Sequence, residues 1–253
     1  MPSYHFKPEE SLERMEPKAL GLSYTSLQRI EFGKKEQRKF ISSGKEEICL
    51  AVINGNLQFE INGKTGMAET LDMLYLPCES EICISSDNAV VIRYGAPCNR
   101  KTSFAQIPFR EVDADSRHKT YGKQENGTKR DVWNYIDESF DSSRFLIGMC
   151  KGAPGGWTAW PPHEHGSKRE EVYVYFGMGE GFGIQCVYND LEGDGSAMIV
   201  RDGHIVSIPQ GYHPNAGSPH CGLQYIYCMV SLVAEDRSFM DLTIQKSFGT
   251  VFE

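Results

Sequence analysis

Residues 48–63 read ICLAVINGNLQFEING. An apolar run from Ile48 ends at Asn54-Gly55. Leu57, Phe59 and Ile61 then alternate with polar residues until Asn62-Gly63. Alternation with a period of two describes a half-buried strand. Asn-Gly between two such runs is the pair that a two-residue hairpin turn requires, because both central positions need a positive φ. The stretch therefore predicts consecutive antiparallel strands.

The same rhythm continues outward. MLYLP (73–77), EICIS (81–85) and AVVIRYGAP (89–97) are short strands separated by turns. A second series starts near Val132: SRFLIGMCKGAP, WTAWPPHEH, EEVYVYF, GFGIQCVY, SAMIVRDG, HIVSIPQGYHP and LQYIYCMVSLV. Many short strands at this spacing predict an all-β protein built of sandwiches or barrels. Between the series, residues 98–130 are polar, and KQENGTKR is a loop. Residues 1–20 are charged and aperiodic and are expected to form an arm or short helix. Helix is expected to be scarce and confined to the termini. The two series also resemble each other. EICLAVINGNLQFEI parallels EEVYVYFGMGEGFGIQCVY, and MLYLPCESEICI parallels HIVSIPQGYHPNAG. The predicted organisation is an N-terminal arm (1–20), a first barrel (21–110) and a second barrel (111–253), the two barrels arising by internal duplication.

Composition excludes several classes. Lys plus Arg is 26 and Asp plus Glu is 34, a formal net charge of −8. An acidic surface does not suit a nucleic-acid partner. No apolar run approaches the ~20 residues that span a bilayer, and the polar start carries no secretory signal. The eight cysteines never form CxxC and are expected to be reduced, barrel-core thiols of a cytoplasmic protein. Asn126-Gly127-Thr128 is then an incidental match to a glycosylation acceptor. There is no GxxxxGK[ST], no GxSxG, and no GxGxxG between a strand and a helix.

The chemistry concentrates in the second half. His163-Glu164-His165 follows Trp160-Pro161-Pro162. On a strand, residues i and i+2 share a face, so both imidazoles project together. Glu170 and Glu171 open the next strand, and His213 follows the turn Pro209-Gln210-Gly211-Tyr212. Three imidazoles and one carboxylate suit a divalent Zn, Mn, Fe, Co or Ni ion. Periodicity leaves the carboxylate open. Glu171 shares its face with Tyr173 and Tyr175, and Glu170 shares the other with Val172 and Val174. His5, His118, His204 and His220 carry no comparable signal, and Trp133, Trp157 and Trp160 read as core.

HxH, a following Glu, then Gly203-HIVSI-Pro209-Gln210-Gly211-Tyr212-His213 resemble the two motifs of the cupin superfamily. PPHEH, EEVYVYF, GFGIQCVY, VRDGHIVSIPQGYHP and AGSPH resemble one branch of it, the 5-deoxy-glucuronate isomerases of inositol catabolism. SGKEEICLAVINGNLQFEINGK and MLYLPCESEI are similar to that branch's ligand-free amino-terminal cupin. The resemblance implies a bicupin of two tandem jelly-roll barrels, with the metal in the second. The sister family, the 5-keto-4-deoxyuronate isomerases of pectin breakdown, has EVY directly after its ligand Glu. That likeness selects Glu171 as the ligand beside His163, His165 and His213.

The activity implied is aldose–ketose isomerisation of a deoxy-uronate, 5-deoxy-glucuronate becoming 2-deoxy-5-keto-gluconate. The alternatives are the pectin-pathway reaction, an Fe(II) cupin dioxygenase, and a sugar-binding cupin without catalysis. Tyr175, Gln185, Tyr188 and Tyr225 are candidate substrate-binding groups, and no acid/base residue is assigned. Lys168, Arg169 and Arg201 are candidate partners for a substrate carboxylate. Expected partners are a small anionic sugar and further copies of the chain as a homo-oligomer, the latter from resemblance alone.

Overall fold

The computed structural model describes residues 4–34, 37–98, 100–189, 193, 195–234 and 236–249. Ile48, Leu50 and Val52 lie on one face of the strand Glu46–Asn54, and Cys49, Ala51 and Ile53 on the other. Both faces are buried because this strand sits in the middle of a sheet with cores on either side. The sheet runs Ala105–Ile107, Met73–Leu76, Glu46–Asn54, Val90–Pro97, Ser26–Glu31. Opposite it lies a four-stranded sheet of Gln37–Ser42, Glu81–Ser86, Leu57–Ile61 and Lys64–Ala68. Leu57, Phe59 and Ile61 point into the barrel while Gln58 and Glu60 face solvent, as the alternation predicts.

The second barrel repeats the plan. Its larger sheet runs His5–Phe6, Ile205–Ile208, Arg169–Tyr175, Gln224–Ser231, Phe145–Gly152, Arg130–Ile136, His118–Tyr121. Its smaller sheet runs Trp157–Thr158, Asn215–Gly217, Gly183–Tyr188, Gly195–Val200. Neighbouring strands are antiparallel throughout. The protein is all-β, two jelly-roll barrels in tandem. The larger sheets pack back to back. Leu27, Cys49 and Tyr94 of the first meet Ile147, Val172, Val174 and Cys228 of the second in one apolar layer. Each fully buried Leu, Ile or Val there contributes ~1.5–3 kcal/mol.

Two buried glutamates cross this layer in opposite directions. Glu47 accepts backbone N–H bonds from Ser143 (2.7 Å), Arg144 (2.6 Å) and Phe145 (3.2 Å) of the second barrel. Glu170 accepts them from Ser23 (2.6 Å), Tyr24 (2.9 Å) and Thr25 (2.7 Å), just ahead of the first barrel. Each carboxylate satisfies backbone donors at or just ahead of the start of a strand in the other unit, Phe145–Gly152 for Glu47 and Ser26–Glu31 for Glu170.

Several expectations need correction. Among the described residues the α-helix Phe109–Ala114 lies in the connecting segment, not at a terminus, and the termini carry only 3-10 turns, Pro8–Ser11 and Lys246–Phe248. Polar residues fill its exposed face, and only Val112 is buried, so it has no helical stripe to read. KQENGTKR is a loop up to Arg130 as expected, and the polar segment that holds it also contains strands: Ala105–Ile107 pairs with Met73–Leu76, and His118–Tyr121 pairs with Arg130–Ile136. The arm is docked. His5–Phe6 pairs with Ile205–Ile208, and His5 Nε2 lies 2.7 Å from His204 Nδ1. All eight cysteines are free, but only Cys49, Cys150 and Cys228 are buried; the others sit at barrel ends or on half-covered strands. Among the described residues no helix is long and apolar enough to cross a membrane.

Candidate metal centre

The strand Arg169–Tyr175 is hydrogen-bonded on both sides, to Ile205–Ile208 and to Gln224–Ser231. Its parity divides its side chains between two cores. Tyr173 and Tyr175 belong to the interior of the second barrel, Val172 and Val174 to the layer between barrels. Glu171 therefore points into the barrel. Glu170 points the other way and is occupied with residues 23–25.

The histidines come from two further elements. His163 opens the short strand His163–Glu164, which pairs with Thr243–Ile244 near the C terminus. His165 lies two residues on, buried like His163, while Glu164 between them is half-exposed. His213 is delivered by the turn after Ile208. That turn requires glycine: Gly211 has φ +101°, and a Cβ there would lie 2.9 Å from the Tyr188 carbonyl oxygen. Tyr188 and Tyr212 exchange backbone hydrogen bonds (3.0 and 2.8 Å) that pin the turn to the neighbouring strand.

The four groups converge. Ring centroids are 4.7 Å apart for His163 and His213, and 5.4 Å for His163 with His165 and His165 with His213. Glu171 Oε2 lies 3.1 Å from His213 Nε2 and 3.4 Å from His165 Nε2. Nδ1 of His163 faces Pro161 O at 2.9 Å, and Nδ1 of His213 faces Gly211 O at 2.8 Å. Donation to those carbonyls fixes the tautomer and turns each Nε2 lone pair inward. Glu171 Oε2 and His213 Nε2 are buried and, despite their proximity, make no hydrogen bond of acceptable geometry. Buried polar atoms left so are costly. Lone pairs aimed at a common point rather than at each other fit a divalent cation. Three of the groups, His163, His165 and His213, offer nitrogen atoms all within 4.8 Å of one another.

The electrostatics agree. Burial, reinforced by His213 and His165, pushes the His163 imidazole well below its ordinary pKa, so it is neutral and able to ligate. Burial likewise lowers His165, with Glu171 opposing it. Burial works to raise the Glu171 carboxyl, but His165 and His213 outweigh it and hold it below the ordinary carboxylate range. Glu171 is therefore ionised at neutral pH.

A cavity opens beside these groups. Its lining includes Tyr121, Arg130, Cys150, Tyr173, Tyr225 and Tyr227. Of the candidate substrate-binding groups, only Tyr225 lies on this wall. Tyr175 and Gln185 lie behind His213 instead: Tyr175 donates to Gln185 Oε1 (2.5 Å), and Gln185 Nε2 donates to His213 O (2.8 Å). Both are fully buried, and neither lines the cavity. Tyr188 reaches the C-terminal segment, donating to Gln245 Oε1 at 2.8 Å. The candidate cations are placed elsewhere too. Lys168 Nζ and Arg169 Nη1 donate to Asp241 (2.5 and 2.6 Å), and Arg201 lies over the Phe182 ring. Sequence reasoning missed Tyr173, which the two-residue period from Glu171 already points to, and Arg130, which sits in a polar run with no periodic signal.

The profile of the KduI/IolB family matches residues 3–245. The chain belongs to the KduI/IolB family. Membership bears out the resemblance read from HEH, EEVYVYF and the PQGYH turn. One KduI/IolB relative, the 5-deoxy-glucuronate isomerase of Geobacillus kaustophilus (strain HTA426), is 24% identical over 92% of this chain and 89% of its own. The 4-deoxy-L-threo-5-hexosulose-uronate ketol-isomerase 2 of Rhizobium meliloti (strain 1021) is 24% identical over 69% of this chain and 62% of its own. Among solved structures, an IolB-like protein of Salmonella typhimurium LT2 matches with a TM-score of 0.83 at 20% identity, covering 94% of both chains. Oxalate decarboxylase of Bacillus subtilis matches with a TM-score of 0.61 at 12% identity over 92% of this chain and 79% of its own; that enzyme has Mn(II) centres. These structural likenesses identify the bicupin fold.

Proposed function

We propose that this chain is a metal-dependent aldose–ketose isomerase that converts 5-deoxy-glucuronate to 2-deoxy-5-keto-gluconate in inositol catabolism. The observation that carries the reading is the convergence of His163, His165, Glu171 and His213 at a buried cavity in a KduI/IolB chain. The similarity to a 5-deoxy-glucuronate isomerase along most of both chains supports the substrate. These four residues would hold one divalent ion, and zinc and manganese both suit the donor set. Such an ion supplies Lewis acidity, polarising a carbonyl and acidifying the neighbouring hydroxyl.

The isomerisation moves a hydrogen from C2 to C1 and a hydroxyl proton from O2 to O1. Nothing is gained or lost, so no oxidant is required. The chain's own residues bind and orient. Burial holds the phenols of Tyr173, Tyr225 and Tyr227 well above their ordinary pKa, so they stay protonated. Tyr173 and Tyr225 serve as hydroxyl groups that hydrogen-bond sugar oxygens, not as bases, while the Tyr227 hydroxyl already donates to Asn134 Oδ1 at 2.6 Å. Phe239 and Leu242 close the wall and exclude water. The eight free cysteines support a reducing, cytoplasmic setting. Self-association remains part of the proposal, and the molar mass in solution checks it.

A second reading, the pectin-pathway ketol-isomerase, is favoured by the similarity to the Rhizobium enzyme. Metal analysis and an NMR assay of both uronates under anaerobic conditions test the proposal. Oxygen-independent formation of 2-deoxy-5-keto-gluconate is expected. Turnover only with oxygen, or full activity in His163→Ala/His165→Ala, would overturn it.

A further inference from the structure

Among the described residues lining the cavity, Arg130 is the one cation. It opens the strand Arg130–Ile136 and is 2% exposed. Two carbonyls orient its guanidinium: Nη1 donates to Thr128 O at 3.0 Å, and Nη2 to Trp160 O at 2.6 Å. The Tyr121 ring lies against it, 5.3 Å from guanidinium carbon to centroid. His163 faces the next carbonyl along, Pro161 O. Consecutive carbonyls of one segment therefore set Arg130 and the metal-binding imidazole in a fixed relation across the cavity.

Apart from the candidate metal ligands His163, His165 and Glu171, the wall is tyrosine, a thiol and apolar side chains. A guanidinium whose plane is already fixed is the arrangement that recognises a carboxylate through paired N–H bonds. We propose that Arg130 binds the carboxylate of the substrate, placing the acid end of a sugar acid there and its carbonyl end at His163, His165, Glu171 and His213. This inference rests on the isomerase reading. It also explains how a chain of net charge −8 takes an anionic substrate: the attraction is local and acts where the dielectric is low. A neutral sugar offers the guanidinium no anion in return for the water that leaves, so the residue selects acids.

The test uses the metal-loaded full chain and its Arg130→Gln and Arg130→Lys variants, each checked for folding and metal content. Dissociation constants, KM and kcat are measured for 5-deoxy-glucuronate and for the neutral 5-deoxy-hexose that has a primary alcohol in place of the carboxylate. Arg130→Gln is expected to raise Kd and KM for the acid about 30- to 100-fold, the loss of a charged hydrogen-bonded pair. Constants for the neutral sugar should change far less than those for the acid, and Arg130→Lys should recover part of the acid's affinity. An unchanged Kd for the acid in folded Arg130→Gln overturns the inference. If that variant does not fold, the wild-type chain decides, and equal affinity for acid and neutral sugar overturns it. A wild-type chain that binds the acid through Arg130 yet isomerises no uronate refutes only the isomerase reading. Isomerisation with unchanged binding in Arg130→Gln refutes only the role of Arg130.

Discussion

Ile48 occupies in the first barrel the place that Glu171 occupies in the second. Ile48 pairs with Leu76, the residue before Pro77, and Glu171 pairs with Ile208, the residue before Pro209. Both side chains point into their own barrels. The equivalence runs through neighbouring positions: Leu50 corresponds to Tyr173, and Glu47 to Glu170. The ligand-free first barrel is thus the same frame filled with hydrocarbon. An apolar interior needs no metal to be stable, whereas a carboxylate among imidazoles does.

Glu171→Gln and Glu170→Gln should separate function from stability, although the residues are adjacent. Glu171→Gln is expected to lose metal retention and activity by at least about 100-fold. Glu170→Gln should keep its metal and lose about 2–4 kcal/mol of stability, because buried N–H donors at residues 23–25 lose a charged acceptor. Glu47→Gln should behave like Glu170→Gln. Metal-to-protein ratios and urea unfolding check all three.

Gln185→Leu should loosen the metal without touching it. The substitution removes donors to His213 O and Cys186 O and the acceptor of Tyr175 and Asn215. Metal affinity is expected to fall about 10- to 100-fold, the usual effect of losing a group that orients a ligand. Competition against a coloured chelator measures it.

Chelation should abolish activity but not the fold. The apolar clusters of the first barrel and of the layer between barrels contain no ligand residue. Adding metal back at a thousandfold over its dissociation constant should restore ~4 kcal/mol. Circular dichroism melts with and without metal are the check. Complete unfolding on chelation would contradict the expectation.

The docked arm should release in mild acid. Burial lowers the pKa of both His5 and His204 from their ordinary 6.5. For His5, Glu10 opposes burial and Lys7 adds to it; for His204, His5, Arg201 and Lys7 add to it and Glu9 opposes. Each ring binds protons more weakly in the folded chain than in the unfolded one. The stability they contribute is therefore present above pH 6.5 and is lost as pH falls below it toward the lowered values. Amide exchange at 5–6 and 205–208 should accelerate between pH 7 and 5 while the cores stay protected. Exchange independent of pH, after correction for its intrinsic rate, would count against this.

The sequence by itself determined the strands, the hairpins, the repeated plan of the two halves and the company each residue keeps on its strand. Leu57, Phe59 and Ile61 alternate with polar neighbours because one face of their strand meets water, and such a pattern is legible without coordinates. It likewise grouped His163 with His165, and Glu171 with Tyr173 and Tyr175. Which group enters the barrel was decided only by tertiary structure. The strand Arg169–Tyr175 is buried on both faces, so no contrast between wet and dry marks its inside. The back-to-back packing of the larger sheets sends Glu170 to the other barrel and leaves Glu171 for the metal. Arg130 follows the same logic: one charged residue in a polar run is silent until folding encloses it, and only the enclosure gives its charge a task.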